Sequence, residues 1–234
     1  MNKLSLVFEN LLVAWYQTRE AFVEGGVKNV LRQRFFWKRK ATPVEMELRV
    51  VAPSPARFLR DYNYAFVEIR EEYLRDGMLY FLPGSRSIKA SRNLKKGWRG
   101  FALTMHGQVV GDVWCVTPPM EDTLIQHADL EMLGITPRAG EAYAFDMYIL
   151  PEHRGENLAA PFHRSLHDLL RSEGCNKIYG FYWDDNLPAL WMHRIMKFKE
   201  LPKRQVSRFL FFMKAEDVSD IGHSRKTSQG QPVG

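Results

Sequence analysis

The chain has 234 residues, 45% hydrophobic and 26% charged, with a formal net charge of +6 at pH 7. That composition excludes a disordered or fibrous chain and suits one main globular core with an appendage. The positive excess favours anionic partners of any kind, phosphates, acidic proteins and lipid headgroups alike, and names none of them.

The first apolar run, "LSLVFENLLVAWY", is interrupted by Glu9 and Asn10, well short of the ~18 residues a membrane-spanning helix needs. The protein is therefore expected in the cytoplasm, with peripheral membrane contact as the alternative. Leu4, Phe8, Leu11, Leu12 and Trp15 share one helical face, and Gly25-Gly26 stops the pattern. Next, "VKNVLRQRFFWKRK" sets Phe35, Phe36 and Trp37 among Lys28, Arg32, Arg34, Lys38, Arg39 and Lys40 with no acid. Such a mix suits a helix packed on the main domain or a second subunit, or an interfacial membrane helix. Residues 1–44 read as a helical, basic amphipathic extension that the chemistry does not need, 45–214 as the main domain, and 215–234, without periodicity, as a disordered tail.

In the main domain, "MELRVVA" alternates as a strand. "SPARFLRDYNYAFVEIREEYL" reads as a helix, with Ser54 as cap, Pro55 in the first turn and Phe58, Tyr62, Phe66, Ile69 and Tyr73 at helical spacing. The segment "GSRSIKASRNLKKGWRG" carries Arg86, Lys89, Arg92, Lys95, Lys96 and Arg99 without an acid; it reads as a basic loop, solvated or docking an acidic carrier protein or anionic acceptor. Residues 99–116 read as a hairpin turning at His106-Gly107-Gln108, and 118–140 as a long connection with a short helix. "EAYAFDMYIL" is a strand. "PEHRGENLAAPFHRSL" turns into a helix that sets Leu158, Phe162, Leu166, Leu169 and Leu170 on one side and ends at Gly174. "NKIYGFYW" reads as a strand, "NLPALWMHRIMK" as a short helix and "RQVSRFLFFMK" as one closing strand. The order is mixed α/β. Cys115 and Cys175, with no CxxC or Cys/His cluster around them, are expected as reduced thiols. His163 and His167 stand four apart, but Arg164 sits where a zinc protease needs its glutamate, so their role reads as structural. Asp184-Asp185 reads as a turn before the Asn186 helix.

The turn before the helix at 158 has the chemistry of an anion site: unpartnered helix N–H groups, the permanent cation Arg154, and the small residues Gly155 and Ala159. Thirty-two residues beyond Arg154 comes Asn186, followed by Ala189, His193 and Phe198 at offsets of three, seven and twelve. The two segments together resemble the GNAT N-acyltransferase superfamily, with its R-x-x-G-x-G/A loop and its N-x-x-A-x-x-x-Y-x-x-x-G-F helix; the resemblance covers roughly 46–213.

The resemblance implies a mixed, mainly antiparallel central sheet flanked by helices. It also implies transfer of an acyl group, most simply acetyl, from acetyl-CoA or another acyl-CoA to a primary amine by direct attack on the thioester. Arg154, Gly155, Glu156, Asn157, Leu158 and Ala159 would surround the pyrophosphate. Met147, Tyr148, Ile149 and Leu150 would lie beside the pantetheine on a strand splayed from its neighbour, and Asn186 and Ala189 would line the other wall. His193, where the family often has Tyr, would donate or accept a proton, and Asp146, with Glu141 second, would act as base through water. Asn157 and Lys197 replace family glycines. No metal and no nucleic-acid partner are expected. The alternatives are a long-chain acyltransferase fed by acyl carrier protein and a catalytically silent module with the same fold.

Overall fold

The structure is a computed structural model that describes residues 15–16, 18–19, 36–48, 63–117, 127–155, 157–209 and 212–218. Among the described residues ten strands form one sheet: β1 (Phe36–Glu47), β2 (Ala65–Ile69), β3 (Tyr80–Phe81), β4 (Arg99–Met105), β5 (Gln108–Val116), β6 (Glu141–Ile149), β7 (Lys177–Trp183), β8 (Lys199–Glu200), β9 (Arg204–Phe209) and β10 (Phe212–Asp217). Their order is β10-β9-β1-β7-β6-β5-β4-β2, with β3 on β5 and β8 on β1. Pairing is antiparallel except for β3 with β5 and β6 with β7. Helices within the described main domain are α1 (Glu71–Arg75), α2 (Gly84–Lys95), α3 (Ala128–Leu133), α4 (Ala159–Ser172) and α5 (Leu187–Ile195). This is the expected mixed, mainly antiparallel sheet flanked by helices.

Two cores sit on the two faces of the sheet. On one, Leu158 just before α4 and Phe162, Leu166 and Leu170 of α4 close over Val44, Val113, Cys115 and Ile178, with Ala189 and Leu190 of α5 beside them. On the other, Ala90 of α2 and Leu130 and Leu133 of α3 close over Trp114, Tyr143, Phe145 and Val206. Each fully buried Leu or Phe contributes roughly 1.5–3 kcal/mol, so α4 is anchored chiefly by its apolar stripe. Both cysteines are free thiols.

The hairpin, the strand at 141–149, the helix at 159–172, the strand at 177–183 and the short helix after it stand as expected. Five readings are corrected. First, residues 36–44, assigned to the basic helix, belong to β1, which runs across the division placed at 44/45. Trp37 and Arg39 are half-buried and Lys38 and Lys40 exposed, an alternation of period two, and from Ala41 to Val44 both faces of the strand are buried. Pro43 is tolerated inside the strand because its N-side edge falls between the β9 and β8 pairings, where Leu201 N–H bonds its carbonyl.

Second, residues 65–69 are a strand paired with β4 rather than part of a helix; Phe66 stacks on Phe101 at 5.5 Å. Third, 84–95 is helix α2, not a loop. Its buried face, Ser85, Arg86, Ala90 and Asn93, is nearly all polar and so invisible to a search for apolar period. Fourth, the closing strand is a hairpin, β9 with β10. Fifth, Ala215–Asp217 of the expected tail lie in that hairpin.

Of the expected N-terminal helix, residues 15–16 and 18–19 are helical, and the Tyr16 ring lies against Gly84 at the start of α2. The Ser54 cap, the strand at 49–52 and most of the tail lie outside the described residues. Among the described residues no helix is long and apolar enough to cross a membrane.

Candidate functional site

β6 and β7 pair through only three positions, Glu141 with Lys177, Ala142 with Ile178 and Tyr143 with Tyr179, although both strands continue. Beyond Tyr143, β6 follows β5 and β7 follows β1, so a gap opens between them. Its cause is a bulge. Asp112 opposes Tyr148 and Trp114 opposes Phe145, which leaves one extra residue on β6, and Asp146 there has φ 52°. An inserted residue bends its strand and ends regular pairing.

At the far end of the gap a 3₁₀ turn, Pro151–His153, leads to the loop before α4. Gly155 has φ 98° with nothing within 4 Å of where a Cβ would stand, so backbone conformation rather than space calls for glycine there. Among the described residues α4 begins with no side-chain cap and no acid in its first turn, and the first N–H groups of a helix have no partner within the helix. Arg154 is exposed; its Nε donates to the Ile149 carbonyl at 2.9 Å, and its guanidinium stands 5.4 Å from the Tyr148 ring centre. Leu150 N–H donates to the Val110 carbonyl. Leu158 is buried and Ala159 half-buried, while Glu156 lies outside the described residues.

α5 supplies the other wall. Asn186 caps it, with Oδ1 accepting the Ala189 N–H at 3.3 Å. His193 follows one turn after Ala189 and is 7% exposed. Its Nδ1 lies 2.7 Å from the Ala189 carbonyl, which can only accept, so Nδ1 carries the proton and Nε2 of the neutral ring is an acceptor. A Cβ on Gly180 would come 3.9 Å from that Nε2 and 3.5 Å from the Ala144 carbonyl, just past the last β6–β7 pair. Tyr182 stacks on the ring at 5.4 Å, and Phe198 and His163 meet it edge-on at 4.9 and 6.2 Å. Burial lowers its pKa below the ordinary imidazole value, against the raising effect of the Ala189 carbonyl. A neutral ring with a free acceptor nitrogen takes a proton more readily than it gives one.

Asp146 lies on β6 as expected, but on the α2 face, away from His193. Its Oδ1 accepts from Arg86 Nη1 and its Oδ2 from Lys89 Nζ, each at 2.9 Å. Burial works to raise its pKa, but the two cations prevail and hold it below the ordinary value, which makes it a poor base. Glu141 sits at the other end of β6, in the paired region, accepting from Arg138 N–H.

Asp112 has no place in the sequence reading and Arg86 enters it only as part of a basic loop, yet Nε and Nη2 of Arg86 and the two carboxylate oxygens of Asp112 pair directly behind the bulge. One signal was present: an aspartate inside the apolar strand "VVGDVWCV" must have a partner.

The fold is similar to that of a GCN5-related glucosamine N-acetyltransferase region of a fungal multi-domain GH3 β-N-acetylglucosaminidase. The TM-score is 0.54 at 12% identity, over 82% of this chain and 23% of that one. The fold is the GNAT fold. A tandem GNAT protein from the clavulanic acid biosynthesis pathway gives TM-score 0.45 and 16% identity over 76% of this chain and 53% of that one. An aminoglycoside antibiotic 6′-N-acetyltransferase of Acinetobacter baumannii gives 0.40 and 16% over 64% and 97%. The chain spans less than two thirds of the length of the first structures it matches. No protein-family model and no curated protein matches the sequence. Where the GNAT motif has glycines, Asn157 and Lys197 hold the left-handed backbone, φ 56° and 62°. The side chains depart from the GNAT pattern and the conformations are those glycine favours.

Proposed function

We propose that the chain is an N-acyltransferase that passes the acyl group of an acyl-CoA, most simply acetyl-CoA, to a primary amine. The opening between β6 and β7, with an uncapped helix start at one end and the acceptor nitrogen of His193 on its wall, is the observation that carries this reading. Phosphates bind at the loop from Arg154 to Ala159. Arg154 exchanges the Ile149 carbonyl for a phosphate oxygen, which leaves that carbonyl to the pantetheine amides. The thioester then lies between Met147–Leu150 on one side and Asn186 and Ala189 on the other.

The amine nitrogen attacks the thioester carbonyl, forming the C–N bond, and the C–S bond breaks to release thiolate. His193 Nε2 takes the amine proton, directly or through one water, and returns it to the thiolate. The products are an amide and free CoA, and the imidazole ends neutral as it began. Asp146 has no part in this proton path.

The left-handed backbone at Asn157 and Lys197 favours a working site over a silent module, because both substitutions leave the loop geometry in place. Of the basic segment that would dock a carrier protein, Arg86 and Lys89 turn inward to Asp112 and Asp146 while Lys95 and Lys96 stay exposed, so donation by a carrier protein stands as the alternative donor. Calorimetry with CoA and acetyl-CoA, followed by thioester turnover against a panel of amines, tests the reading. Arg154→Ala is expected to weaken CoA binding by about 1.5–3 kcal/mol, the range for hydrogen bonds to charged groups. Absence of binding and turnover in the parent protein overturns it.

A further inference from the structure

We propose that Arg86 is a positioning residue for the transfer site: from the opposite face of the sheet it fastens the bulge in β6 and so sets how far β6 stands from β7. The inference rests on the acyl-transfer reading for its consequence, but not for its geometry. Arg86 is 7% exposed, and Asp112, its partner on β5, is 2% exposed. Nε and Nη2 of the guanidinium each meet one oxygen of Asp112, Nη1 donates to Asp146 Oδ1 at 2.9 Å, and Nη2 donates to the Asp146 backbone carbonyl at 3.1 Å. A single side chain on α2 thus grips both strands at the point where their register breaks. Lys89 Nζ holds the second Asp146 oxygen at 2.9 Å, and Trp114 Nε1 donates to Asp112 Oδ2 at 2.9 Å. The Tyr148 ring, just past the bulge, lies 5.0 Å from the Arg86 guanidinium.

Two cations meet two carboxylates, so the quartet is closed in charge and offers no group for proton transfer. Burial raises the Asp112 carboxyl above its ordinary value against the pull of Arg86; the N–H donors on both of its oxygens are those an ionised carboxylate accepts. Buried ion pairs are often replaceable by apolar side chains without loss of stability, so stability alone does not account for this one. What an apolar replacement cannot do is hold a backbone carbonyl. A non-glycine residue at φ 52° inside a strand persists only where its surroundings enforce it. Arg86 supplies that enforcement, and its planar fork of donors can reach Asp112 and Asp146 together where a lysine ammonium cannot.

The test uses the full-length protein with Arg86→Met/Asp112→Leu, which leaves no buried charge unpaired, and with Arg86→Lys. Amide hydrogen exchange over residues 144–150 reads the bulge without reference to activity, and steady-state kinetics with acetyl-CoA and an amine that the parent acylates reads the site. The expected result is a cooperative melt near that of the parent, faster exchange confined to 144–150, and kcat lower on the order of 10²-fold, the scale of an ångström-sized misplacement, with KM for acetyl-CoA little changed. Arg86→Lys is expected to recover only a small part of kcat, and it carries both readouts if the double substitution does not fold. Unchanged exchange at 144–150 overturns the proposal, as does faster exchange with kcat intact. A parent protein that neither binds CoA nor acylates an amine removes the functional reading instead, and exchange alone then decides whether Arg86 holds the bulge.

Discussion

His193 and Asp146 stood side by side in the sequence reading as candidates for proton transfer, and at the scale of single residues their surroundings separate them. His193 is neutral with its acceptor nitrogen beside the gap; Asp146 is held ionised by two cations on the other face. Because burial lowers the His193 pKa, the acid limb of kcat/KM is expected below the ordinary imidazole value of about 6.5, activity rising with pH as the ring loses its proton. His193→Phe is expected to abolish that limb and lower turnover by about 10²- to 10⁴-fold, whereas Asp146→Asn keeps the limb in place even if the rate falls. A pH profile in which Asp146→Asn removes the limb would reverse the assignment. The position of His193 was legible from its offset to Asn186 and Ala189. Its role as acceptor was not, since that depends on which nitrogen meets the Ala189 carbonyl, a matter of rotamer and helix geometry rather than spacing. Arg86 shows the converse: its residue type was plain, but its partners lie 26 and 60 residues away.

Between elements, α4 and α5 meet through histidines as well as leucines. His163 Nδ1 and His167 Nε2 stand 2.7 Å apart, and both rings pack on Phe198 together with His193. Burial depresses all three imidazoles, His163 well below its ordinary value and His167 to about 3, with Arg164 adding to the shift at His167 and Glu200 opposing it at His193. The folded state therefore keeps these rings neutral while the unfolded chain binds protons below about pH 6.5, so stability falls as the pH drops through that value. Each ring contributes a slope of up to about 1.4 kcal/mol per pH unit in that window. Carboxylates held below their ordinary values, such as Glu45 and Glu173, lose their contribution only under more acidic conditions, so loss that begins near neutrality belongs to the histidines. Urea unfolding across this range is expected to show it, and His167→Leu to remove about one proton's worth of slope; a flat profile down to carboxylate pH would refute the linkage. The i, i+4 histidine pair could be read from the sequence as structural. What could not be read was its third member, which a separate helix delivers.

For the whole molecule, the largest correction concerns β1. The basic aromatic segment reads from the sequence as part of an extension because its cations and rings fit a helix as well as a strand, and composition cannot choose between periods over so short a stretch. The choice is made by partners far along the chain: β7 on one side and β9 on the other. A chain beginning at Thr42 loses Phe36–Ala41 and with them the β9 pairing, and is expected to lose its cooperative melt, whereas removal of residues 1–34 leaves the sheet whole. Circular dichroism melts of the two truncations distinguish them, and a stable, folded chain from Thr42 would show β1 to be dispensable. The position of β1 also bears on synthesis. Arg39 stands 146 residues before Asp185, in the turn just past β7, and 166 before Gln205 of β9, its two contacts there, so at ~5–20 residues per second β1 waits about 7–30 s on the ribosome for its neighbours. Throughout that interval Phe36 and Trp37 lie in a nascent chain with an unpaired strand edge, and Lys38, Arg39 and Lys40 are the charges that discourage pairing with another chain. Replacing the exposed Lys38 and Lys40 by threonine is accordingly expected to leave the purified protein within about 0.5 kcal/mol of its stability while lowering the soluble fraction released by cell-free translation, so that the cations of β1 protect the chain before it folds and matter little once it has.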